Sequence, residues 1–114
     1  MDRQEAGYVD GLREALRVAA GTNSRDLDGT IGSGIAQLTY LTQNDGTVRE
    51  AIDRFRNATV QLFEAFARRK AVQEARGTAF DALDALEVEI ARWRVTRAGA
   101  PAEKPDIAGA RATE

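Results

Sequence analysis

The feature that most constrains this chain is a shift of hydrophobic phase inside a long proline-free stretch, Thr47–Arg97. Val48, Ile52, Phe55, Leu62 and Phe66 recur at helical spacing, with Thr59 filling the missing step and Ala51, Ala58 and Ala65 widening the stripe. Arg68-Arg69-Lys70 then places charge where that stripe should continue. A second stripe starts at Val72 and Ala75 and runs through Ala79, Leu83, Leu86, Ile90 and Trp93. On an ideal wheel its centre is rotated by roughly 120° from the first. Coiled-coil drift amounts to only ~20° per heptad, so supercoiling does not account for the rotation. The two halves must bury their faces against different neighbours.

Two geometries meet that requirement. The chain can turn: Gly77 suits the residue after a helix, and Thr78 with Asp81 forms a possible capping box. Alternatively, one helix of ~50 residues would run ~75 Å and rest its second half on another subunit. The pattern favours a break or kink near Arg76–Thr78, with part of the second stripe used between subunits. Thr47 and Glu50, after Asn44-Asp45-Gly46, predict a capping box at the start of the stretch.

Upstream, Tyr8, Leu12, Ala15, Leu16 and Ala19 share one face of a helix expected over Asp2–Ala20 and ended by Gly21. Leu27–Thr42 has two faces: Leu27, Ile31, Ile35, Leu38 and Leu41 on one, and the small Gly29, Gly32, Ser33 and Ala36 on the other. Small residues at this spacing let another backbone come close. A full helix is the favoured reading; a looped Thr30–Gly34 before a short helix competes with it. Residues 98–114 contain both prolines and read as a tail that is flexible or ordered by a partner. The expected architecture is therefore all-α: a bundle or hairpin of three to four helices over residues 1–97, followed by an extended tail.

Composition narrows the chemistry. The 114 residues contain no cysteine and no histidine, which removes thiolate sites, the commonest general base and the commonest metal ligand. Net charge is −2 although 30% of residues are charged, so no overall pull toward nucleic acid or anionic membrane is expected. No apolar run reaches the ~18 residues of a membrane span. These features point to the cytoplasm, or to a particle assembled there.

Asp26-Leu27-Asp28-Gly29-Thr30-Ile31 resembles the DxDGT signature of haloacid-dehalogenase-type phosphotransferases, whose two aspartates would be Asp26 and Asp28. That family requires a buried strand just upstream, and Gly21-Thr22-Asn23-Ser24-Arg25 is not one, so the segment reads as a capping turn. It also resembles a calcium loop, with Ser24, Asp26 and Asp28 at alternate positions, but Ile35 stands where the bidentate glutamate belongs. Asp81, Asp84 and Glu87 lack the histidines of a di-metal bundle and read as a solvated face.

Arg68-Arg69-Lys70 and Arg92 to Arg97 form basic clusters, with Trp93 on the apolar stripe rather than among the arginines. The sequence thus predicts a non-enzymatic helical assembly protein without cofactor or metal, pairing with itself or another protein. Its size and style suit a component of a phage-like virion or other large particle. The expected interface is Val72, Leu83, Leu86, Ile90, Trp93, Arg94 and Arg97, with Gly29, Gly32 and Ala36. A small regulatory module contacting its partner through Trp93 and its arginines is the alternative, and nucleic-acid binding through the basic clusters comes third.

Overall fold

The computed structural model describes residues 3–99. Four helices make up the fold: α1 (Arg3–Val18), α2 (Ser24–Leu41), α3 (Gly46–Arg68) and α4 (Val72–Gly99). Among the described residues, backbone neighbours run α1–α2, α2–α3, α3–α4 and α4–α1, with no pair across a diagonal. With three short connections, that closed ring is an antiparallel four-helix bundle. The last expected helix continues to Gly99, two residues past its expected end, and residues 100–114 of the expected tail lie outside the described residues.

Both stripes of the long stretch are buried in this one chain. Val48, Ile52, Phe55 and Leu62 of α3 meet Leu83, Leu86 and Ile90 of α4, joined by Leu12 and Leu16 of α1 and Ile31 and Leu38 of α2. Thr59 is also fully buried, and its hydroxyl donates to the Arg56 carbonyl, which lets a polar residue occupy the stripe.

The break lies not at Gly77 but at Arg69–Ala71. Arg69 and Ala71 both take left-handed backbone, at φ 57°. The Lys70 amide bonds the Ala65 carbonyl and the Arg69 amide bonds the Phe66 carbonyl, closing the end of α3. The helix then passes unbroken through Gly77 and Thr78, whose hydroxyl donates back to the Glu74 carbonyl instead of capping a new start. The rotation of the stripe needs no second subunit, because two separate helices meet at a reversal.

Other local expectations shift by a residue or two. Asp45, not Thr47, caps α3: its carboxylate accepts from the Thr47 and Val48 amides, each at 3.1 Å. At the end of α1, Asn23 uses both ends of its amide, donating to the Val18 carbonyl and accepting from the Ala20 N–H. That leaves no side-chain bond for the start of α2. Val9 occupies the buried position that Tyr8 was expected to fill, and Tyr8 lies on the rim. The full-helix reading of Leu27–Thr42 agrees with α2.

Arg76, half-buried on α4, ties the bundle across. Its guanidinium donates to the carbonyls of Leu16 (2.5 Å) and Ala19 (3.0 Å) at the end of α1 and lies over the Phe66 ring. One side chain therefore satisfies carbonyls that α1 cannot pair internally.

Candidate interaction surface

The residues expected to face a neighbour separate into three groups. Leu83, Leu86 and Ile90 are buried inside their own chain, because the Arg69–Ala71 reversal lays α4 on α3. Val72 and Trp93 are half-buried against the same core. The arginines beside Trp93 are engaged within the molecule. Arg97 stacks over the indole at 5.3 Å and donates to the Gln43 side chain; Arg94 stands 3.5 Å from Glu5 on α1. Glu5 is itself buried and its Oε1 accepts no hydrogen bond among the described residues, so Arg94 offsets its charge through a long contact. Gly29 and Ala36 are exposed, and Gly32 is half-buried beside Arg56.

One basic cluster lies at the α3–α4 connection and the other in the last turns of α4, about 36 Å away at helical rise. One nucleic-acid contact would have to span that length. All three residues of the acidic series are exposed, and Asp84 and Glu87 each meet Arg13 of α1 at 2.7 Å. The hydrogen bond to Asp84 is the main cause raising the Arg13 pKa, and the nearby carboxylates add to it against partial burial. On the exposed face of α1, the hydrogen bond from Arg17 holds the Glu14 carboxyl below its ordinary range. Both are surface pairs and contribute little to stability. Among the described residues no group of three potential ligands could hold a metal. No helix there is long and apolar enough to cross a membrane.

A different surface stands out, which the sequence reading only half saw. No charged residue occurs between Asp28 and Asp45. Beyond the exposed Arg25, Asp26 and Asp28 of its first turns, the outer side of α2 is consequently uncharged: Gly29, Ser33, Ala36 and Gln37 are exposed, and Tyr40 ends the row with 78% of its surface open. The outer side of α3, by contrast, presents Arg49, Glu50, Asp53, Arg54 and Arg56. Beside the α2 row, a groove of about 570 Å³ runs between α1 and α2, lined by Gly7, Tyr8, Gly11, Leu12, Gly29 and Ser33 and by the carboxylate-bearing Asp26. A methyl group added at Gly7, Gly11 or Gly29 would touch nothing; only Gly34 is closely approached, with Leu12 Cδ2 at 3.1 Å from such a methyl. The gap in charge was readable in the sequence. The open groove was not, since it depends on how far apart α1 and α2 lie.

No protein-family model, curated protein or solved structure matches the chain.

Proposed function

We propose that the protein is a non-enzymatic helical assembly component that associates with copies of itself through the outer side of α2. The observation that carries this reading is the uncharged, exposed row ending in Tyr40, on a chain in which 30% of residues are charged. Interface centres are depleted in charge and enriched in aromatic residues, whereas ordinary solvent-facing helix surface resembles the outer side of α3. The original motive, an unburied second stripe on α4, has gone; the surface on α2 replaces it as the place of contact.

Sedimentation velocity over a wide concentration range tests the proposal. The expected result is a reversible shift from monomer to a larger species as concentration rises. A single monomeric species at every concentration overturns it.

A further inference from the structure

The four helices are not held alike. Arg13 with Asp84 and Glu87, Glu5 with Arg94, and Arg76 with the Leu16 and Ala19 carbonyls all link α1 to α4. Large buried side chains, Phe55 and Leu62 with Leu83 and Leu86, link α3 to α4. Among the described residues, no side-chain hydrogen bond or ion pair joins α2 to another helix, and the Thr30 and Thr39 hydroxyls donate back to its own carbonyls. Ile31 and Leu38 are its only fully buried side chains; Leu27 and Ile35 are half-buried. Both seams beside α2 are open. The groove of about 570 Å³ lies between it and α1, and a second of about 430 Å³, lined by Ser24, Arg25, Val60 and Phe63, lies between it and α3. Gly29, Gly32 and Gly34 lower its helix propensity, and no side chain caps its Ser24 end. Few buried apolar contacts and a weak helix are what let one element open while the rest stays folded.

We infer that α2 is a strap that leaves the bundle as a unit, starting from its uncapped Ser24 end, while α1 and α3 stay assembled on α4. This does not depend on the self-association reading. The connections permit it. Fully extended, residues 19–45 reach about 90 Å, against about 27 Å along α2, so the strap unwinds without pulling α1 or α3 away. Opening also relieves Gln43 and Asn44, which take left-handed backbone at φ 56° in the closed bundle. Leu12 of α1 lies close against Gly34, and Ile31 and Leu38 are fully buried. The open form therefore presents apolar surface that the closed form hides, on α1 and on the strap itself. α2 is thus the element through which the bundle changes shape, the other three being tied through α4.

Native-state hydrogen exchange, read by mass spectrometry at low urea, tests the strap. Amides of Ser24–Leu41 should exchange at least about tenfold faster than those in the middle of α1, α3 and α4, with a smaller urea dependence than global unfolding. Gly77→Ala separates a local opening from a global one. A methyl group at Gly77 touches nothing and favours α4, which persists when α2 is open. Exchange through global unfolding should therefore slow about fivefold in α1, α3 and α4, while exchange in α2 should not change. Equal protection of α2 and α3, or α2 slowing together with the others, overturns the inference. So does α1 exchanging in step with α2, since the opening unit would then be the α1–α2 hairpin. If the Gly77→Ala protein does not fold, the urea dependence in the natural chain decides alone.

Discussion

The two halves of the bundle solve the problem of burying a helix in different ways. The α3–α4 half is built from large side chains. Phe55, Leu62, Leu83, Leu86 and Ile90 are within 2% of full burial, Asp45 caps its start, and the connection at Arg69–Ala71 is three residues long. The α1–α2 half contains six of the nine glycines within residues 3–99, at positions 7, 11, 21, 29, 32 and 34. It leaves an open groove between its helices and an uncharged run on the outer side of α2 from Gly29 to Tyr40. Helix propensity is therefore lowest where least packing compensates for it. Val9, Leu12, Leu16, Ile31 and Leu38 still bury this half against the common core, so its glycines weaken the helices without removing their anchorage. The larger buried side chains lie in the α3–α4 half, and the proposed contact surface lies in the α1–α2 half.

That division can be broken by measurement. The largest effect should come from Phe55→Ala, which empties the centre of the α3–α4 half and should cost about 3–5 kcal/mol in urea unfolding. A cost below about 1 kcal/mol would show that α3 is not the anchor. Next, Arg76→Ala removes the cross-link from α4 to the end of α1. Hydrogen bonds from a charged donor suggest a loss of about 1.5–3 kcal/mol, and native-state amide exchange should speed up in α1 before α3. If all helices loosen together, the halves are one cooperative unit.

A smaller and opposite effect concerns backbone conformation. Ala71 is left-handed although it has a side chain, whereas Gly77 sits mid-helix with open space around it. Exchanging the preferences, by Ala71→Gly and Gly77→Ala, should raise stability by about 1 kcal/mol each. A fall in the unfolding midpoint for either change would contradict the placement of the turn. The smallest expected change is Asp45→Ala, a loss of about 1 kcal/mol or less from the cap of α3, with Asp45→Asn milder than Asp45→Ala. If the Thr47–Glu50 capping box governed instead, Glu50→Ala would have the larger effect.

Much of the architecture was legible because hydrophobic spacing reports burial directly. The stripes Val48–Phe66 and Val72–Trp93 are both half-buried or better, and α2 is helical across its glycines. The turn was misplaced for a physical reason: the sequence signals a helix end through glycine, and here Arg69 and Ala71 take the left-handed conformation while every described glycine avoids it. The interface expectation failed at Leu83, Leu86 and Ile90 because one rotated stripe fits two arrangements, a second subunit or a reversal. Only the position of the reversal decides between them. Trp93 and its arginines looked available because sequence spacing does not show that Arg97 and Arg94 reach Gln43 and Glu5.

The Glu5–Arg94 contact puts the beginning of α1 and the last turns of α4 at the same end of the bundle, far from the Arg69–Ala71 connection. The first and the last helix therefore leave the bundle from one pole. Pulling on those two ends together would load α1 and α4 side by side and leave the reversal between α3 and α4 at the far pole unloaded.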